Sequence, residues 1–224
     1  MSKKIIIAID GPAGSGKSTA AKNIAQKLGF TYLDTGAMYR AITFIALRKR
    51  IAEDVSKVVE LARGINLKLE FEKGTTRVFV DGEEITELIR SAEVNAKVSD
   101  ISKIPEVRAE LVKIQKKMGD EGNIVAEGRD VTTVVFPDAN LKIFLTASID
   151  ERARRRYKEY QEKNVAISLD EVKANLEKRD RIDSGREVSP LKKADDAIEF
   201  DNTNISIPDE LEQLMKKIEE VLSN

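Results

Sequence analysis

Near its start the chain reads Gly11-Pro12-Ala13-Gly14-Ser15-Gly16-Lys17-Ser18, three glycines followed by a lysine and a hydroxyl. The spacing is GxxxxGK[ST], which suits the phosphates of a nucleoside triphosphate. The glycines let successive N–H groups turn inward around an anion. A helix expected from Lys17 aims its positive end at the same place. Lys17 offers a point charge to the β- and γ-phosphates, and the Ser18 hydroxyl offers a ligand to Mg²⁺. With Thr19 added, Gly11–Thr19 is the expected triphosphate segment. A chance glycine-rich turn is the competing reading. An apolar run before the loop and a helical pattern after it argue against chance.

Two further segments carry charge in useful places. Leu33-Asp34-Thr35-Gly36-Ala37-Met38-Tyr39-Arg40 follows an apolar run, and so does Val125-Ala126-Glu127-Gly128-Arg129-Asp130. In an open α/β sheet both would sit in the crevice at the carboxyl ends of strands. Arg40, about one turn into a helix, could reach a phosphate. Arg129 beside Asp130 could grip a phosphate and read a base together. Taken singly, each is also explained by an ordinary surface ion pair.

Much other chemistry is ruled out by composition. The 224 residues include no cysteine and no histidine. Thiolate nucleophiles, zinc–thiolate sites, histidine bases and Ser-His-Asp triads are therefore impossible. Lys+Arg number 38 against 39 Asp+Glu, a net charge of −1, so no global field draws the chain to nucleic acid or a membrane. Asp10 interrupts the first apolar run, and no later run approaches the roughly 20 residues of a membrane span. A cytoplasmic, monomeric protein with no nucleic-acid or membrane partner is expected.

These groups need elements to place them. Ile5–Ile9 is a β-branched run suited to a strand buried on both faces. Lys17–Leu28 reads as a helix ended by Gly29, Thr31–Leu33 as a strand, and Ala37–Lys49 as a helix. Residues 54–63 look helical. Leu67–Glu72, Arg77–Val80 and Glu83–Ile85 alternate around Lys73-Gly74 and Asp81-Gly82, an antiparallel meander. Pro105 opens a helix carrying Val107, Leu111, Ile114 and Met118. Asn123–Ala126 and Leu141–Leu145 read as buried strands, and 150–163 as a charged helix. Ser168 and Glu171 form a capping box for the next helix. Ala197–Phe200 and Pro208–Leu222 close the chain as strand and helix. This alternation predicts an α/β fold: a parallel sheet of about five strands covered by helices, with a small antiparallel insertion.

The two charged segments and several others together resemble the bacterial cytidylate kinase family of P-loop nucleoside monophosphate kinases. The likeness spans the chain: the phosphate loop, LDTGAMYR, the meander, EVRAELVKIQ at 106–115, AEGRDVTTVVFPDA at 126–139, RDRIDSGREVSPL at 179–191 and the terminal AIEFDNT. The resemblance implies a single unit. Its core would be 1–62, 86–149 and 190–224, with the insertion at about 63–85 and an arginine-rich lid at about 150–189. It implies transfer of the γ-phosphoryl of MgATP to CMP or dCMP. Thr35, Arg40 and Arg129 would then hold the acceptor phosphate. Ser99, Arg108 and Asp130 would contact the cytosine, Arg179 and Asp183 the sugar, and Arg186 the phosphate region. Among Arg152, Arg154, Arg155 and Arg156 of the charged helix, Arg155 is assigned beside Lys17 and Arg129 as a catalytic cation. A solvated helix face accounts for any one of these four equally well.

Three other functions compete. A kinase for UMP or another small acceptor would share the loop. A regulatory nucleotide switch would too, but the chain lacks an Asn-Lys-x-Asp base-reading motif. It also shows no evident apolar strand ending in a Walker-type aspartate beside an activating glutamine. A nucleic-acid module is disfavoured because Glu151, Glu159 and Glu162 interrupt the basic helix.

Overall fold

A computed structural model describes residues 4–72, 74–162 and 164–222. Of the segments read from the sequence, Met1–Lys3, the turn residue Lys73, the helix-end residue Lys163 and Ser223–Asn224 lie outside it.

Five strands form one parallel sheet: β1 (Ile6–Asp10), β2 (Thr31–Asp34), β6 (Ile124–Gly128), β7 (Leu141–Thr146) and β8 (Ile198–Asp201), in the order β2-β6-β1-β7-β8. Successive side chains of a strand point to opposite faces. Ala8 of β1 accordingly joins one apolar cluster while Ile7 and Ile9 join the other. Both faces are therefore covered, which explains the unbroken apolar runs.

Helices α1 (Lys17–Leu28) and α8 (Ile207–Leu222) cover one face. Helices α2 (Thr35–Arg48), α3 (Val55–Gly64), α4 (Ala92–Ser102) and α5 (Pro105–Gly119) cover the other. The meander is β3 (Leu67–Glu72), β4 (Thr75–Val80) and β5 (Glu83–Glu84), antiparallel as expected. Its inward residues Leu67, Val78 and Val80 belong to the same cluster as α2 and α3. The charged region folds as α6 (Ile149–Glu162) and α7 (Leu169–Ser184), joined by a small cluster of their own. The Ser168–Glu171 capping box forms: the Ser168 hydroxyl accepts from Glu171 N at 3.2 Å, and the Glu171 carboxylate accepts from Ser168 N at 2.8 Å.

Several elements depart from the sequence reading, among them the short turns Leu88–Arg90 and Val131–Val135. Helix α2 starts at Thr35 rather than Ala37, because the Asp34 carboxylate caps Ala37 N at 2.9 Å. Helix α4 lies where no element was expected, capped by the Ser91 hydroxyl on Val94 N.

Asp10 ends β1 and is fully buried. Its carboxylate accepts from Val131 N at 2.9 Å, Thr132 N at 2.8 Å and the Thr132 hydroxyl at 2.6 Å. It thereby ties the phosphate-loop strand to the π-helical turn Val131–Val135. Burial pushes its pKa up from 3.8 to about 6, against the pull of those three donors. A folded-state value above the unfolded one favours folding at low pH, and that contribution is lost as pH rises from about 4 to 6. Two units correspond to about 3 kcal/mol. The stability of the wild-type chain minus that of Asp10→Asn, from urea unfolding, should therefore fall across that window. A difference independent of pH would refute the assignment.

Candidate active site

The carboxyl ends of β2 and β6 and the loop that follows β1 open on one cleft of about 570 Å³. Its floor is the phosphate loop. Gly16 precedes α1 at φ 90°, a left-handed conformation that a side chain would resist. Ala13, Gly14, Gly16, Lys17, Ser18 and Thr19 line the cleft. Gly11, Pro12 and Ser15 stand behind it, where the Pro12 carbonyl accepts from Lys17 Nζ at 3.3 Å.

Glu127, the last side chain of an apolar strand, faces this loop. It accepts from the Ser18 hydroxyl at 2.7 Å and from the Tyr32 hydroxyl at 3.2 Å, and lies 3.9 Å from Lys17 Nζ. The carboxylate sought in the sequence beside the loop is thus present, as glutamate rather than aspartate. The signal was the break in Ile124-Val125-Ala126-Glu127. Burial, with Arg129 next, pushes the Lys17 ammonium well below its usual value. Burial, with Asp34 next, pushes Glu127 up.

Across the cleft stands a group of arginines. The Arg129 guanidinium donates from Nε to Asp183 at 2.8 Å, Arg186 bonds the other oxygen of Asp183, and Arg179 approaches to 3.9 Å. Burial and then Arg129 hold Arg179 down at about 9, and burial lowers Arg40 to about 10. Besides burial, the neighbouring Arg129, Arg40 and Arg156 contribute to the lowering at Arg179, so positive charge is crowded along this wall. Such a site favours a multiply charged anion. Arg40 is steadied by Asn95 at 2.5 Å, and Arg90, not singled out in the sequence, lines the same wall with Arg156 of the charged helix.

Beside the arginines, Arg108 is almost fully buried. It pairs with Asp130, donates to the Ser102 carbonyl at 2.9 Å and lies over the Tyr39 ring at 5.0 Å. A fixed cation–carboxylate pair at the cleft wall can match a ring that offers both acceptors and a donor. Thr35 donates to the Glu127 carbonyl at 2.8 Å. Gly128 permits this approach, since a Cβ there would lie 2.4 Å from the Thr35 hydroxyl.

The cleft wall brings together Thr35, Arg40, Arg108, Arg129, Asp130, Arg155, Arg179, Asp183 and Arg186. Ser99 does not line it; its carbonyl accepts from the hydroxyl of Ser102, the serine of α4 that does. Among the four arginines of α6, Arg155 and Arg156 reach the cleft, Arg152 lies behind the loop and Arg154 points outward. Arg155 bonds Glu151 and Asn202, and Arg156 pairs with Glu159 over the Tyr160 ring.

A family model described as cytidylate kinase matches residues 7–220. A cytidylate kinase of Caldanaerobacter subterraneus subsp. tengcongensis is 51% identical over 213 residues, covering 95% of this chain and 93% of that one. A cytidylate kinase of Fusobacterium nucleatum subsp. nucleatum is 50% identical over 218 residues, 97% of this chain and 98% of the relative. A solved structure of an uncharacterized protein from Eubacterium ventriosum aligns at a TM-score of 0.53 with 13% identity, over 97% of this chain and 99% of the other, which bears on the fold alone. With half of all positions shared over nearly the full length, the chain belongs to the cytidylate kinase family.

Proposed function

We propose that the protein transfers the γ-phosphoryl of ATP to CMP or dCMP, giving ADP and CDP or dCDP. One observation carries this reading: a phosphate loop and an arginine cluster face each other across a single cleft, with the Arg108–Asp130 pair at the acceptor side. Family membership supports the same reaction.

The chain's own residues account for the chemistry. The acceptor phosphate oxygen is already ionised at neutral pH, so no general base is needed, in keeping with the absence of histidine. The barrier is the repulsion of two anions and the need to align them. Lys17 and the loop amides hold the donor phosphates. Arg129, Arg40 and Thr35 hold the acceptor phosphate, while Arg179, Asp183 and Arg186 set its nucleoside. Arg108 and Asp130 read the cytosine, while Ser99, which does not reach the cleft, is left without that role. Arg155 stands beside the loop where charge develops. Closure of 150–189 over 1–62, 86–149 and 190–224, with the insertion at 63–85, would exclude water that otherwise accepts the phosphoryl group.

The residues beside the loop fit Mg²⁺. Ser18 and Glu127 offer hard oxygen donors, and no group of three or more metal-ligating side chains exists among the described residues. Mg²⁺ usually takes one or two protein oxygens and completes its shell with phosphate and water. Bound there, it would neutralise charge on the donor phosphates. Among the described residues no helix is long and apolar enough to cross a membrane. As part of the same proposal the chain acts on small molecules as a cytoplasmic monomer, with no nucleic-acid or membrane partner.

An acceptor panel tests the proposal. ADP release should be fast only with CMP or dCMP, and at least tenfold slower in kcat/KM with UMP, AMP or GMP, the discrimination expected when buried polar groups are left unpaired. Equal rates across the panel would sink the cytosine assignment. Fast ATP hydrolysis without any acceptor would sink the kinase assignment.

A further inference from the structure

Two carbonyls of the phosphate loop are held by side chains outside the cleft, the Ser15 carbonyl also receiving a longer bond of 3.5 Å from cleft-lining Arg155. The Ala13 carbonyl accepts from Arg152 Nη1 at 3.1 Å, and the Ser15 carbonyl accepts from Asn202 Nδ2 at 2.9 Å. Both donors are buried, Arg152 at 7% and Asn202 at 0% exposure, and neither lines the cleft. Each donor is itself held. Arg152 also donates to the Ala147 carbonyl at 3.0 Å and to Asp180 at 2.6 Å. Asn202 donates to Glu210 at 2.7 Å and accepts from Arg155 at 3.1 Å.

A trans peptide is planar, with its C=O and the next N–H pointing in opposite directions. Fixing the Ala13 carbonyl from behind turns the Gly14 N–H toward the cleft. Fixing the Ser15 carbonyl does the same for the Gly16 N–H. Gly14 and Gly16 both line the cleft, and as glycines with φ 76° and 90° they would otherwise be the loosest peptides in the loop. Packing supports the same picture: the Ala13 side chain joins Ala153, Val172 and Leu176 in the α6–α7 cluster.

We propose that Arg152 and Asn202 are positioning residues that aim the Gly14 and Gly16 amides at the donor phosphates. The start of α6 then belongs mechanically with the loop, and closure of the arginine-rich region pivots beyond it. The inference deepens the reading of the loop as the donor site and rests on that reading.

The test compares ADP and tripolyphosphate binding by calorimetry, with amide spectra, in Arg152→Met and Asn202→Ala. Arg152→Met keeps the apolar stem and removes the guanidinium. ADP Kd should rise about tenfold in Arg152→Met, the worth of one charge-assisted hydrogen bond, and about fivefold in Asn202→Ala, where both partners are neutral. The ligand-free Gly14 amide should shift in Arg152→Met, and that of Gly16 in Asn202→Ala, while KM for CMP stays within about twofold. Arg152→Lys, which keeps one donor, should fall between. A purely structural pin would lower the melting temperature and leave ADP Kd unchanged below it; that result overturns the proposal, as does an equal loss of ADP and CMP affinity. If Arg152→Met does not fold, Asp180→Asn removes only the partner of Arg152, and an unchanged ADP Kd there is equally fatal. Failure of the wild-type chain to use CMP, with ADP affinity still dependent on Arg152, would overturn the acceptor reading and leave this one standing.

Discussion

Lys17→Ala should lower kcat about 10²–10³-fold and leave the chain folded. The ammonium is 6% exposed and has weak partners within the protein, the Pro12 carbonyl at 3.3 Å and Glu127 at 3.9 Å. Burial already presses it to give up its proton. A cation kept in so poor a setting is stabilised chiefly by an incoming anion, so removing it should weaken the reacting complex more than the empty protein. Glu127 keeps the Ser18 and Tyr32 hydroxyls as donors when the lysine is gone. Coupled ADP-release kinetics with CMP, alongside thermal unfolding, separates the two effects. A kcat within fivefold of wild type would mean that the lysine is not where charge develops.

Asp183→Asn should cost the fold about 3–5 kcal/mol, the usual penalty for leaving buried charge uncompensated. The carboxylate is 1% exposed and touches Arg129, Arg186 and Arg179. Burial pushes its pKa up, but the attraction of Arg129, Arg186 and Arg179 outweighs burial and holds it below the ordinary 3.8. A depressed folded-state pKa contributes stability that is present above the unfolded value and lost as pH falls through the folded one. The loss in Asp183→Asn should therefore be constant near neutrality and shrink only below about pH 4. KM for CMP should rise as well, because Arg129 loses the partner that orients it. Urea unfolding across pH checks the first point. A variant as stable as wild type at pH 7 would show that the arginines find other counter-charges.

Local spacing made the donor side legible. The phosphate loop is eight consecutive residues, and its strand and helix announce themselves by unbroken and periodic apolar runs. The acceptor side is assembled from four distant stretches, and bottom-up reading found only that Arg40 and Arg129-Asp130 would lie at strand ends. Resemblance supplied Arg108, Arg179, Asp183 and Arg186, which the structure gathers at the same cleft. What stayed hidden depends on tertiary contacts. Val131–Val135 is rich in β-branched residues, which favour strands, yet Asp10 accepts its first two N–H groups and the segment turns as a π-helix. Helix α4 buries just four residues, so its period is faint until Ser91 caps it. Glu127 carries no local mark beyond ending an apolar run, because its meaning comes from Ser18, 109 residues away.

The grip of Asp10 on Val131 and Thr132 has a consequence for time as well as for shape. Those two amide protons belong neither to the sheet ladder nor to a regular helix, yet their acceptor is a fully buried carboxylate. They should exchange with deuterium about as slowly as the central strands, releasing only when the whole chain opens. Saturating nucleotide should slow them only as much as it slows global opening, while loop and rim amides gain protection on their own. The donor strand and the acceptor segment would then keep one clock, set by the foundation they share rather than by the substrates above it.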